Sequence, residues 1–569
     1  MRSLLVDIYA SIYSIILKII IPYKVSLGNS KLKKMEVFAN NRSFVRYFLT
    51  SGDDQDIFCG FFKNKLIITS ISDTLFSIGS SRILRVKCRV DAGCQRTKNF
   101  NLVCDAIFTP GLPIETDFLE TLPWEASLNY SEALSWIKNI ELAGSDYGVD
   151  RMRELLVLLG EPDRYLKFIH VAGTNGKGSV TAYLTSILKE AGYKVGTYNS
   201  PAVFRYNEKW LIGGEPLSDE LVARYLTVIK ETLDAEQKLR EVLKVDEFRP
   251  TAFEIETAVM FLAAFEAECD ICVLEAGLGG RADATNVIED KELAVITAIG
   301  LDHTQLLGNT LGEIASEKAA IIKDVCVTLP QCHEIMDAIR HPYNLEDGEK
   351  KYYSPRVEVA KTPEFLSADL NGQKFIYGGE EYEISLLGRH QIDNASLAVC
   401  AAQELRKKHW DISDQALRDG LKNAVWHARI EVVRESKNGV YLSIPLDKVL
   451  ILDGAHNPHG AKTLANWLDE TFKNRRIALV LGILKDKDYK GIIETLLPCA
   501  EEIVCVTPPS PRALDKNALK QAVEEVSQIN NIKIKTTMQE DIKQAVQNTL
   551  LGDAEVVVLC GSLMLFSAL

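Results

Sequence analysis

The stretch His170–Val180, "HVAGTNGKGSV", joins the short apolar run "YLKFI" to the helix-like "TAYLTSILKEAG". Gly173, Gly176 and Gly178 let the backbone turn with its amides facing inward, and Ser179 opens the helix that follows. Inward amides at a helix N-terminus form an anion nest, Lys177 adds a mobile positive charge, and the Ser179 hydroxyl is placed to reach a metal ion. The spacing departs from G-x-x-x-x-G-K-[ST], because two residues separate the first glycines and Gly178 intervenes before the serine. The chemistry indicated is nonetheless a phosphate held at a strand-to-helix turn.

Outward from this turn, "KFIHVAG", "CDICVLEAG" and "LAVITAIG" read as strands buried on both faces. Helical stretches separate them, which predicts a parallel α/β sheet. After about residue 430, "VLILDGAHN", "IALVLGIL", "EIVCVTPP" and "EVVVLCGSL" predict a second α/β unit, approached through the helical "LLGRHQIDNASLAVCAAQEL". A chain of 569 residues that is 47% hydrophobic is too long for one core and implies about three domains. The expected divisions are 1–128, 129–425 and 426–569.

The first of these differs from the rest, with 16 Lys/Arg against 12 Asp/Glu in a chain of net charge -13. "KLIITSI" and "RILRVKCRV" suggest a small strand-rich module, and it carries no chemical motif. The run Leu4–Pro22, "LLVDIYASIYSIILKIIIP", is interrupted by Asp7 and Lys18, and no A-x-A cleavage site follows. An amphipathic or packed helix is therefore favoured over a membrane anchor, with a true start at Met35 as the remaining alternative. The acidic balance argues against a nucleic-acid surface and toward small-molecule partners. The twelve cysteines lie scattered in apolar segments, as small buried residues of a reduced, cytoplasmic protein. Cys269 and Cys272 are formally C-x-x-C, but no second pair follows and their spacing points them to opposite faces of a strand, so no metal is expected there.

A nucleotide triphosphate also needs Mg²⁺, held by oxygen ligands that leave room for the phosphates. Glu275, which ends the apolar "ICVLEAG", is the best candidate. His303, in "AIGLDHTQLLG", follows the next strand and should emerge at the same sheet edge. The "GLGG" after Glu275 precedes no G-x-x-G helix start and is no dinucleotide signature.

These residues, with "YNSPAVFRYNE", "LEAGLGGRADATNVI", "LDHTQLLGNTLGEIASEKAAIIK", "GRHQIDNASLA", "WHARIE", "DGAHNPHGA" and "GILKDKD", stand in the order found in the folylpolyglutamate synthase and dihydrofolate synthase family of the Mur ligase superfamily. The resemblance covers roughly Tyr130 to the C-terminus and leaves residues 1–128 unexplained. It implies a P-loop ATPase domain followed by a smaller Rossmann-like α/β domain. The implied activity is ATP-dependent amide ligation, in which a pteroate or folate carboxylate takes the γ-phosphate and the resulting acyl phosphate is attacked by L-glutamate. Thr174, Asn175, Gly176, Lys177, Gly178 and Ser179 would then hold ATP, and Ser200, Glu275 and His303 would ligate Mg²⁺, with two ions expected. Lys318 matches the family's carbamylated lysine. Asn394, Arg429 and Asp453 fall on the ATP side. His456 and Ser562 fall on the glutamate side, and Lys177, Lys318 and His456 are the catalytic candidates. Asp146, Arg151, Phe253 and Asp283 are placed with the acceptor, Phe253 as a stacking surface for a flat ring.

Two departures stand out: Glu208-Lys209-Trp210 replaces the family's usual Glu-Arg-Ile, and the chain stops at Leu569, the end of "GSLMLFSAL", so a final helix is expected to be short or absent. "GGRADATN" favours a bifunctional enzyme over a single-activity one. A peptidoglycan-type Mur ligase is disfavoured by "SPAVFRYNE", and a catalytically silent regulatory module by the intact Lys177, Glu275, His303 and Lys318. Family members are commonly monomers.

Overall fold

The computed structural model describes residues 59–60, 67–78, 81–91, 100–108, 128–142, 148–346, 349–433 and 442–569. The run Leu4–Pro22, Met35 and Asp146 lie outside the described residues. The chain divides into two compact units, one of residues 1–125, 158–160 and 227–249, the other of 126–157, 161–226 and 250–569. In the first unit, strands Cys59–Gly60, Ile67–Ile78, Ser81–Asp91 and Phe100–Phe108 pair antiparallel in chain order.

The second unit holds two large sheets. The first comprises β1 (Phe168–Ala172), β2 (Val195–Tyr198), β3 (Trp210–Ile212), β4 (Glu215–Pro216), β5 (Ile271–Glu275), β6 (Leu293–Ile296), β7 (Val325–Thr328) and β8 (Arg356–Val359). Their order is β8-β7-β6-β1-β5-β2-β3-β4. Six strands are parallel, and the β3–β4 hairpin adds an antiparallel edge. Every residue of β1, β2, β5, β6 and β7 is buried, as the unbroken apolar runs demand of a sheet covered on both faces. Four helices matter for the site: α1 (Lys177–Glu190), α2 (Ala252–Glu266), α3 (Leu311–Ala319) and α4 (Arg389–Lys407). α1 and α4 pack on one face with Ile169, Val171 and Val273, while Ala315, Ala319 and Ile296 fill the other. Truncating one of these strand residues, such as Val273→Ala, should cost roughly 1–3 kcal/mol through lost burial and the cavity left.

The second sheet comprises β9 (Glu431–Val433), β10 (Val449–Asp453), β11 (Ile477–Leu481), β12 (Glu502–Cys505), β13 (Lys535–Met538) and β14 (Val556–Cys560), in the order β9-β10-β14-β11-β12-β13. Only β9 is antiparallel to its neighbour. The chain's last element is a 3₁₀ turn, Leu563–Ala568. The antiparallel additions, including the small sheet of strands 364–369, 372–377 and 380–384, were not foreseen, because short half-exposed strands lack a continuous apolar run. Among the described residues, no helix is long and apolar enough to cross a membrane.

Candidate active site

β1 lies between β6 and β5, and the glycine-rich turn leaves its C-terminal end, where ligands of open α/β sheets bind. Gly176 caps α1 in the left-handed region, at φ 91°. A Cβ there would sit 2.4 Å from Asn394 Oδ1, and one on Gly178 would sit 2.2 Å from Trp426 Cζ2. The glycines thus serve close approach by α4 and by the segment entering the C-terminal domain, as well as turning the chain. The first-turn amides of residues 176–179 have no partners within α1, as at any helix start.

Thr174 and Asn175 differ from the rest of the predicted cradle. Both amides donate to Ala298 O, at 2.9 and 3.1 Å, and the Thr174 hydroxyl exchanges hydrogen bonds with Gly300. These two amides tie the turn to the segment after β6. Asn175 Nδ2 also meets His459 Nδ1 of the C-terminal domain at 3.2 Å.

In the sheet register Val171 pairs with Glu275, so the carboxylate emerges beside the turn. Lys177 Nζ lies 3.8 Å from Glu275 Oε1. Glu275 is 5% exposed, and its second oxygen, like Thr297 Oγ1 nearby under Gly173, has no hydrogen-bond partner. Burial raises the Glu275 pKa, opposed by Lys177, Arg429 and a backbone hydrogen bond from Ser200. Lys318, on α3, is 5% exposed; burial and then the Lys177 charge bring its pKa down to about 7, against Asp302 and Asp283. His303 is half exposed and left-handed at φ 49°. Its pKa is lowered by burial, Lys487, Lys318 and Lys177, with Asp302 opposing. Lys177, Glu275, His303 and Lys318 therefore share one electrostatic neighbourhood. Ser179 Oγ accepts from Gln391 Nε2 at 3.1 Å, and Asn394 Nδ2 donates to Gln391 Oε1 at 3.1 Å. Gln391 and Trp426 were missed in the sequence. The one available signal was that Gln391 precedes Asn394 by three residues, on the same helix face.

Across from this edge, Arg429 is flanked by two residues in the left-handed region, Ala428 at φ 54° and Ile430 at φ 52°. That conformation is strained for a β-branched side chain and needs external support. Asp453 supplies it: Oδ2 accepts from Ile430 N and Oδ1 from Ala455 N, both at 2.9 Å. His456 Nδ1 donates to Gly454 O at 2.8 Å, and burial brings its pKa to about 4. The ring is neutral at pH 7, and Nε2 is left as an acceptor. Ser562 Oγ accepts from Met564 N at 3.2 Å and caps the final 3₁₀ turn. Lys487 reaches to 3.9 Å from Asp302 Oδ1.

On the third side, Arg151 Nε donates to Glu254 Oε2 at 2.7 Å, and the same carboxylate caps α2 through Thr251 N. Phe253, just before Glu254 in sequence, is partly exposed, 5.9 Å from the Tyr198 ring, and a Cβ on Gly277 would lie 2.5 Å from its Cζ. Asp283 is buried. Its Oδ1 accepts from Thr285 N at 3.0 Å and its Oδ2 from Leu278 N at 2.8 Å, so it shapes the "GLGGRADATN" loop from inside. Thr285 Oγ1 in turn lies 2.8 Å from His170 Nε2.

Residues 217–402 match the Mur ligase middle domain, and residues 428–563 match the Mur ligase glutamate ligase domain. The chain is 38% identical over 451 residues to the dihydrofolate synthase/folylpolyglutamate synthase of Bacillus subtilis (strain 168), covering 77% of this chain and 97% of that protein. The crystal structure of folylpolyglutamate synthase from Thermotoga maritima superposes with a TM-score of 0.63 at 31% identity, over 77% of this chain and 96% of that one. A bifunctional folylpolyglutamate synthase/dihydrofolate synthase solved with Mn, AMPPNP and L-glutamate bound gives a TM-score of 0.61 at 28% identity, over 78% of this chain and 98% of that one. By motif, fold and extent of match, this chain belongs to the folylpolyglutamate synthase and dihydrofolate synthase family of Mur ligases.

Proposed function

We propose that the chain is a cytoplasmic ATP-dependent ligase that joins L-glutamate to dihydropteroate and to folate polyglutamates, as a bifunctional dihydrofolate synthase and folylpolyglutamate synthase. The observation that carries this reading is the meeting of Lys177, the unpartnered Glu275 Oε2 and the buried Lys318 at the edge where a helix N-terminus opens. The name of the Bacillus subtilis relative and the ligands of the Mn, AMPPNP and L-glutamate complex support it.

In the first step the acceptor carboxylate attacks the γ-phosphorus of ATP and ADP leaves. In the second the amine of L-glutamate attacks the acyl carbon and phosphate leaves. Both steps gather negative charge, so catalysis rests on position and electrostatics. Lys177 and the amides of residues 176–179 would hold the phosphates. The unpartnered Glu275 oxygen suits a hard cation, and Ser200 and His303 would complete its protein ligands. Mg²⁺, in two ions, supplies charge neutralisation at the phosphates when bound. An amine titrating at about 7 is about half unprotonated at neutrality, and the unprotonated form is the one that adds CO₂, so Lys318 is suited to carry a carbamate. Asn394 and Arg429 face the nucleotide side, and Asp453 holds the Arg429 loop. The Nε2 of His456 would accept a hydrogen bond from the glutamate ammonium, with Ser562 on the same side. Phe253 and Arg151 would border the acceptor ring, in a monomer divided at about residues 128 and 425.

Glutamate-dependent ADP release by the purified chain, with dihydropteroate and tetrahydrofolate offered separately and Lys318→Ala alongside, tests this. Turnover with both acceptors, lost in the variant, supports the bifunctional reading. Turnover with one leaves a single-activity enzyme, and turnover with neither overturns the proposal.

A further inference from the structure

The segment "AVFRYNEKW", Ala202–Trp210, belongs to neither the phosphate turn nor the proposed metal set, yet its two ends are anchored in different domains. At one end, Val203 is 7% exposed and packs in the C-terminal domain's core with Leu452, Leu563 and Phe566. Phe204 lies edge-on to His427 at 5.3 Å and to Phe566 at 6.1 Å. At the other end, Tyr206 OH donates to Glu256 Oε1 at 2.7 Å, Lys209 Nζ pairs with the same oxygen at 2.5 Å, and Trp210 Nε1 donates to Glu256 O at 2.8 Å. Lys209 also covers the Tyr206 ring, 4.5 Å from its centroid. Glu256 sits one turn after Phe253 on α2, and Thr257 Oγ1 donates to Phe253 O.

Between the ends, the Glu208 carboxylate accepts from the amides of Val203, Phe204 and Arg205 at 3.0, 3.0 and 3.2 Å. A carboxylate gathering three successive amides closes the segment into one local unit. The Lys209–Glu256 pair is largely buried, so removing either partner leaves a charge in a site that cannot hydrate it. Lysine suffices where the family pattern has arginine, because one Glu256 oxygen and one aromatic face are the partners here.

We propose that Ala202–Trp210 is a two-ended strap, with Phe204 and Lys209 as positioning residues that couple the seat of the C-terminal domain to the acceptor-side helix α2. The assignment of acceptor and glutamate to the two sides rests on the proposed function; the coupling itself does not.

The test is a crossed kinetic measurement. Phe204→Ala removes the ring contacts with His427 and Phe566 and is expected to raise the acceptor KM about 5-fold, while Lys209→Met removes the pair with Glu256 and is expected to raise the L-glutamate KM by a similar factor. The double variant should show much less than the product of the two effects, since a strap cut at one end loses little when cut at the other. Lys209→Arg and Phe204→Leu, which keep the pair and the apolar fill, should restore most of the loss. Effects confined to each residue's own side, or fold-changes that multiply, would overturn the strap. If the wild-type chain shows no glutamate-dependent turnover, the proposed function fails. The same double-variant cycle is then read in melting temperature, where non-additive losses support coupling and additive losses overturn it.

Discussion

The two large sheets end in edges of opposite character. At the β1–β5 edge, polar atoms are buried without partners: Glu275 Oε2 and Thr297 Oγ1 accept nothing, and Lys318 is held with its pKa near 7. At the β10–β14 edge, polar atoms are satisfied by the chain itself: Asp453 takes two amides, His456 donates to Gly454 O, and Ser562 caps a turn. Unpaired buried polar groups destabilise a fold, and a sequence keeps them where a ligand completes them; paired ones maintain the shape against which that ligand is held. The first edge is thus read as chemistry and the second chiefly as scaffold.

The sharpest way to break that contrast is at the first edge. Lys177→Ala and Glu275→Gln are each expected to lower glutamate-dependent ADP release by at least about 10³-fold while shifting the melting temperature by only a few degrees. Retained turnover, or wholesale unfolding, would make this edge scaffold too. The converse is expected at the second edge. Asp453→Ala leaves the Ile430 and Ala455 amides unpaired and releases two strained residues, for a loss of about 2–4 kcal/mol in urea unfolding. A variant of unchanged stability with lost turnover would reverse the assignment.

Where the edges meet, Gly178→Ala forces a methyl against Trp426 and should raise the KM for ATP about 10- to 100-fold. Pairing it with Trp426→Ala should return part of the loss if the clash is the cause.

The signal smallest per unit change concerns Lys318, read against pH. Its folded pKa of about 7 lies below the roughly 10.4 of an unfolded lysine, so between those values the unfolded chain binds a proton that the folded chain does not. Wild-type stability in CO₂-free buffer should therefore rise from pH 7 to 10, by at most about 1.4 kcal/mol per pH unit. Lys318→Met should lack that rise. Parallel pH profiles for the two proteins would mean that the amine keeps its proton in the folded state.

Much of the first edge was legible in the sequence because its chemistry is local. A strand, a glycine turn and a helix start are consecutive in "KFIHVAGTNGKGSV", and Glu275 and His303 follow strands whose parallel pairing places their ends together. The second edge was less legible. That Asp453 supports Ala428 and Ile430 depends on two left-handed residues in "WHARIE", where no glycine announces them. Thr174 and Asn175 belong to the ATP motif by resemblance, and only the tertiary structure shows that their amides donate to Ala298 O. Lys209 stood out in the sequence as a departure; the burial of its pairing with Glu256 gives that departure a role.

The sequence by itself determined the two parallel sheets, the order of the ligase motifs and the residue types at the phosphate turn, since unbroken apolar runs and glycine spacing act over a few residues. Only the tertiary structure decided which polar atoms remain unpaired, why Gly176 and Gly178 must lack side chains, and that Val203 and Phe204 are seated in the other domain's core. Those properties arise from contacts between segments that can lie hundreds of residues apart. Local pattern cannot encode them, because each depends on what a distant side chain brings to the same point in space.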